Sequence, residues 1–129
     1  MKIISDTNIL LAVVFNEPEK ANIIQLSSGN EAIGPEILPY EAGNALSAMI
    51  KRRQVTHKEA LDAYKLLSNI PVRLLSVDII QALKIAMDFN IYAYDAYFLQ
   101  CAIEQASPLL TLDKGMKKVA KALNIEVME

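Results

Sequence analysis

Four acidic residues are the side chains best suited to chemistry in this chain: Asp6, Glu41, Asp95 and Asp113. They are far apart in sequence, yet each stands at the end of a short apolar run or within an apolar helical pattern. Ile3-Ile4-Ser5-Asp6-Thr7-Asn8 reads as a buried strand running into an acid, and Leu109-Leu110-Thr111-Leu112-Asp113 repeats that arrangement. Ligands of open parallel α/β sheets bind outside the carboxyl ends of the strands, so two acids in that position are candidates for a site. Tyr94-Asp95-Ala96 opens an apolar helix, and Glu41 lies within another.

Taken singly, each acid has an ordinary explanation. Asp is a favoured N-cap, which would account for Asp6, Asp95 or Asp113, and Glu41 could be a solvated helix residue. Taken together they need more. Four carboxylates meeting at one sheet edge repel one another and raise their own pKa values unless a divalent cation neutralises them. Carboxylate oxygens, with Thr7, Asn8 and Thr111 beside them as supporting groups, suit Mg²⁺ or Mn²⁺. Zinc would favour nitrogen or sulfur, and His57 and Cys101 both read as structural.

The elements that must position these acids alternate. Strands are predicted at residues 2–5, 31–34, 72–75, 109–112 and 125–127, with helical periodicity between them, a pattern of parallel pairing through crossovers. One helix is predicted over 8–15. A second carries Pro18 in its first turn and ends near Ser28. The next carries Ala42, Ala45, Leu46, Met49 and Ile50 on one stripe and closes at Lys51-Arg52-Arg53. Thr56 and Glu59 form a capping-box pattern before a fourth helix, and Ser76 is placed to cap a fifth that runs to about Asn90. Asp95, Phe98, Leu99, Ala102 and Ile103 share a face of the sixth. The expectation is an α/β fold, a single domain over 1–129 with a central, mostly parallel sheet of four to five strands flanked by helices.

Apolar residues make up 53% of the chain and mean hydropathy is +0.23. That is enough to leave apolar surface for a partner. The longest apolar run, 9–15, is far short of the roughly 20 residues that span a bilayer, so no membrane association is expected. A lone cysteine excludes an internal disulfide and Asp6 interrupts any secretory apolar segment, which points to a reducing cytoplasm. Thirteen Lys and Arg against fifteen Asp and Glu give a net charge of −2. Contact with a phosphate backbone must therefore be local, with Lys51, Arg52, Arg53 and Lys114 as candidates. The stripe Lys114, Lys117, Lys118, Lys121 also reads as an ordinary solvated helix face.

The segments Asp6-Thr7-Asn8, Glu41-Ala42-Gly43-Asn44-Ala45-Leu46, Tyr94-Asp95-Ala96-Tyr97 and Leu110-Thr111-Leu112-Asp113 resemble, in order and spacing, the four acidic motifs of the PIN-domain nucleases. The short chain is most similar to the VapC-like toxin subunits of toxin-antitoxin pairs. The resemblance implies endonucleolytic hydrolysis of RNA, with one or two Mg²⁺ or Mn²⁺ ions held by Asp6, Glu41, Asp95 and Asp113. It also implies a homodimer and an antitoxin lying in an apolar groove, for which Leu10, Leu11, Val14, Phe15, Met49 and Ile50 are the candidates. Tyr92, Tyr94 and Tyr97 are placed near a dimer seam, with buried packing as the alternative. The loop Gln105-Ala106-Ser107-Pro108 lacks the glycine often found before the family's fourth strand.

Two other readings stay open at this level: a catalytically silent PIN-like module that binds RNA or protein, and a solitary RNA-processing nuclease. A phosphatase with an aspartyl nucleophile would need a second acid where Asn8 stands. A receiver domain would need an acidic pair after the first strand.

Overall fold

The computed structural model describes residues 1–129, and its centre is the strand that the sequence marks most clearly. β1 (Lys2–Ser5) pairs in parallel with β2 (Glu31–Pro35) on one side and β4 (Leu109–Leu110) on the other, while β2 pairs in parallel with β3 (Arg73–Leu75). The strand order is β3-β2-β1-β4. Ile4 stands opposite both Ile33 and Leu109, and all three are fully buried. A parallel sheet covered on both faces needs such apolar runs, because alternate side chains point into opposite layers. Thus Ile4, Ile33 and Leu109 join Phe98 and Leu99 in the main core, and Ile3 and Leu110 join Ile9, Ala12 and Ile23 in a second one.

Seven helices complete the chain: α1 (Thr7–Val14), α2 (Lys20–Ser27), α3 (Leu38–Lys51), α4 (His57–Ser68), α5 (Ile79–Phe89), α6 (Ala93–Gln105) and α7 (Lys114–Ala122). α1, α3 and α7 each begin within a few residues of the carboxyl end of a strand. Gly34 lets β2 and α3 approach closely, since a Cβ there would come within 2.9 Å of Leu38 Cδ1.

Several boundaries differ from expectation for identifiable reasons. Residues 125–127 do not form a fifth strand; they contribute a single parallel bridge, Leu109 to Val127. β4 ends at Leu110, and the Thr111 side chain that follows is turned to Asp6. Pro18 precedes α2, whose N-cap is Glu19. α5 is capped by Asp78, whose Oδ1 accepts from the Gln81 N–H, and the Asp78 N–H is itself held by Glu104 Oε2; Ser76 lies outside the helix. The expected capping box is present at Thr56 and Glu59. At the end of α6 the missing glycine is answered by Ala106, which takes the left-handed conformation itself, with φ +48°.

Candidate acidic site

All four acids lie at helix N-termini, and that is how residues so distant in sequence come together. Asp6 is the N-cap of α1 and Asp113 the N-cap of α7, while Glu41 and Asp95 fall in the first turns of α3 and α6. A helix N-terminus presents free N–H groups and a partial positive charge, so it tolerates an anion better than any other part of the backbone. Asp95 is therefore not the cap of its helix, a position held by Tyr92, and capping does not account for it.

Asp6 anchors the arrangement. It is 4% exposed. Its Oδ1 accepts the Thr7 N–H at 2.8 Å and its Oδ2 accepts the Thr111 hydroxyl at 2.7 Å. Thr111 Oγ1 in turn accepts the Asp113 N–H at 3.1 Å, and Asp113 Oδ1 accepts the Met116 N–H at 3.1 Å. This relay fixes the end of β1 to the end of β4. Gly115 leaves room for it, because a Cβ there would stand 3.2 Å from Asp113 Oδ1.

The carboxylates sense one another. Burial pushes the Asp6 carboxyl up to about 7, with Glu41 and Asp95 adding to the rise, while the bonds from Thr111 and Thr7 work against it. Glu41 is raised first by burial and then by Asp95, with the nearby Thr7 hydroxyl opposing. Asp95 is raised by burial and by Asp113. Each acid is thus linked by charge to at least one other, and all four belong to one electrostatic unit. No three of them stand together as a finished ligand cage for a single ion.

One polar atom in the site lacks a partner. Thr7 Oγ1 is buried and makes no well-formed hydrogen bond; its nearest acceptor is the Glu41 carboxylate, whose charged form it favours. Buried hydroxyls are nearly always satisfied, so an orphan beside two carboxylates marks a place where a further ligand would be accommodated. Together with an all-oxygen donor set, this fits a hard cation with its water.

The remaining candidates fall in different places. Asn8 is exposed in the first turn of α1 and borders a cleft of about 230 Å³ that Leu11, Phe15, Met49 and Leu112 also line. Of the residues named for an apolar groove, Leu11, Phe15 and Met49 share this cleft. Leu10 belongs to the core, and Val14 and Ile50 pack half-buried against Leu46, Ala60 and Ala63. Lys114 is exposed directly after Asp113. Lys51, Arg52 and Arg53 are also exposed, but they sit at the far end of α3, roughly 15 Å of helix beyond Glu41. Lys117 and Lys121 approach Glu129 at 4.0 and 3.4 Å, so half of the lysine stripe is already paired. Cys101 is buried and its thiol pushed up to about 11, as suits an inert packing residue.

Glu36 was not among the expected site residues. It follows β2 as Asp6 follows β1, and the same pattern of strand then acid would have identified it had Gly34-Pro35 not obscured the strand's end.

Residues 3–122 match the PIN domain. The chain belongs to the PIN-domain family. Among solved structures it is similar to PAE2754 from Pyrobaculum aerophilum, at 22% identity and a TM-score of 0.69, covering 92% of this chain and 79% of that one. It is also similar to VapBC2 from Rickettsia felis bound to a DNA fragment from their promoter, at 14% identity and a TM-score of 0.69, covering 98% and 97%. VapBC-1 from nontypeable Haemophilus influenzae gives 17% identity and a TM-score of 0.68 over 100% and 98%. These likenesses establish the shared fold. No curated protein gives a match. No helix is long and apolar enough to cross a membrane.

Proposed function

We propose that this chain is a divalent-metal-dependent endoribonuclease and the toxin subunit of a toxin-antitoxin pair acting in the cytoplasm. The observation that carries the reading is the electrostatic unit of Asp6, Glu41, Asp95 and Asp113 at one sheet edge, with the orphaned Thr7 hydroxyl inside it. Desolvated, mutually repelling carboxylates are costly unless a cation is their partner. Asp6, Glu41, Asp95 and Asp113 would hold one or two Mg²⁺ or Mn²⁺ ions, directly or through water. When bound, such an ion acidifies a water and stabilises charge on the phosphate under attack.

The chain's own residues do the positioning. Thr111 and the Thr7 N–H fix both oxygens of Asp6, and the Asp113 N–H fixes Thr111. The Thr7 hydroxyl is free to orient a water. Lys114, beside Asp113, is placed to meet a phosphate, while Lys51, Arg52 and Arg53 contact only a strand that extends along α3.

The apolar surface suits two protein partners. Ile80, Leu83 and Met87 on α5, with Tyr92 and Tyr94, are all at least 44% exposed and form the face for a second copy. Tyr97 is half-buried against the core and lies inward of that seam. The cleft of Leu11, Phe15, Met49 and Leu112 is the seat for an antitoxin segment, as the toxin-antitoxin assemblies of the same fold suggest.

The test is cleavage by the purified, partner-free chain of transfer, ribosomal and messenger RNA in Mn²⁺, Mg²⁺ or EDTA. Discrete cuts that need metal, disappear in Asp95→Asn and weaken in Lys114→Glu are expected. A fully active Asp95→Asn protein would overturn the assignment, and metal binding without any cutting would leave a silent module.

A further inference from the structure

Along the carboxyl edge of the sheet, Asp6 and Asp113 hold one half, at the ends of β1 and β4, and Glu41 and Asp95 reach that half from the first turns of α3 and α6. The other half holds a separate cleft of about 270 Å³, bounded by Pro35, Glu36 and Ile37 after β2, Leu75 and Val77 after β3, Ile79 at the start of α5 and Tyr97 of α6. We propose that this cleft holds an unpaired nucleobase next to the phosphate being cut, and that Glu36 selects which base. The inference rests on the nuclease reading above and goes beyond it to the sequence preference.

Three observations support it. The first is distance. Neighbouring strands are about 4.8 Å apart, so a cleft centred between β2 and β3 lies roughly 5–10 Å from the end of β1, the reach of one nucleotide. The first two turns of α6 carry both Asp95, which belongs to the acidic unit, and Tyr97, which lines the cleft.

The second is the character of the walls. They are mostly aliphatic with one aromatic ring, and Tyr97 is held edge-on by Tyr94, with ring centroids 6.3 Å apart. An aromatic ring beside an apolar slot is a common means by which proteins bind splayed-out single-stranded bases.

The third is Glu36. It is exposed at the rim, and none of the chain's four ion pairs includes it. An ionised carboxylate only accepts hydrogen bonds, and its two oxygens match two adjacent donors. Among the RNA bases, guanine offers such a pair on its Watson–Crick edge, N1–H and the N2 amino group. Uracil presents a single N–H between two carbonyl oxygens, which a carboxylate repels. The cleft therefore favours guanine and disfavours uracil. A carboxylate would be a poor choice for a site that held only phosphate.

The experiment is cleavage of a randomised single-stranded RNA pool in Mn²⁺, with the cut ends sequenced, for wild type, Glu36→Gln and Asp95→Asn. Wild type should show guanine enriched and uracil depleted at one position flanking the cut. Glu36→Gln, which presents one acceptor and one donor, should lower the guanine-to-uracil ratio at that position by about tenfold or more while leaving the other positions unchanged. Thermal melting checks that the variant is folded, as expected for an exposed side chain.

Wild type that cuts with no flanking preference, or with a preference that Glu36→Gln does not alter, overturns the base-pocket assignment and leaves the nuclease intact. Wild type that does not cut, or cuts as Asp95→Asn does, means that the nuclease reading itself has failed. Light scattering on the same proteins completes the test: loss of guanine preference in Glu36→Gln that comes with a change from dimer to monomer would assign the cleft to the subunit seam instead.

Discussion

Replacing Asp6 by Asn should make the metal-free protein more stable, by an amount that grows from about pH 4 and is complete above about pH 7. The carboxyl is displaced from 3.8 to about 7 by the fold. An acid whose folded pKa is raised binds its proton more tightly in the native state, so the unfolded chain releases it first as pH rises. The native state is then progressively penalised between about pH 4 and pH 7 and carries the full penalty above that. At about 1.36 kcal/mol per pH unit of displacement, the penalty reaches about 4 kcal/mol, an upper figure because the site can relax or admit water. Asn keeps the acceptor for the Thr7 N–H and offers Thr111 a donor in place of an acceptor, a change that the hydroxyl meets by rotating. The assay is chemical or thermal unfolding of both proteins in EDTA from pH 3.5 to 8. The two should nearly coincide at pH 3.5 and diverge to at least 1–2 kcal/mol, or about 5 °C in melting temperature, by pH 8. Added Mg²⁺ or Mn²⁺ should stabilise wild type and narrow the gap. An Asn variant no more stable than wild type at pH 8, or a gap that does not vary with pH, would refute the argument that Asp6 is held against its own charge.

Other consequences follow from the same contacts. Thr111→Val removes the hydroxyl that donates to Asp6 and accepts from Asp113, so it should cost about 1–3 kcal/mol at pH 8 and less at pH 5, where Asp6 no longer needs the donor as an anion; unfolding at the two pH values distinguishes this from simple packing loss. Ala106→Gly should stabilise by about 0.5–1 kcal/mol, since an exposed alanine at φ +48° carries a left-handed strain that glycine lacks; an unchanged midpoint in denaturant would show that the strain is absorbed elsewhere. Leu83→Glu on the open face of α5 should give a folded monomer by light scattering if that face joins two copies, and no change in mass if it does not.

Much of the fold was legible because the strands are buried on both faces and so appear as unbroken apolar runs, Ile3-Ile4 and Leu109-Leu110 above all. The same rule failed at 125–127, where a short apolar run makes one bridge at the edge of β4. Run length alone does not separate a strand from a bridge when no further partner lies beyond it. The caps followed a similar division. Thr56 with Glu59 is a local device and was readable locally, whereas the choice of Asp78 over Ser76 depends on Glu104, a residue 26 positions away.

The acids were legible for a reason particular to this topology. In a parallel α/β fold the residue that ends a strand often begins a helix, so an acid there meets the positive ends of several helices at once, and its local cap signature is identical whether it is structural or functional. Asp6 and Asp113 are in fact caps, and the relay through Thr111 makes them more than caps. What sequence could not supply is the bonding among them: Thr111 joins Asp6 to Asp113, and the Thr7 hydroxyl is left without a well-formed hydrogen bond beside them. Glu36 is the converse case, since it caps nothing and yet borders a cleft at the same edge. An acid that follows a strand, lies at the carboxyl edge and has no capping duty is better explained by what it meets from outside than by what it holds within.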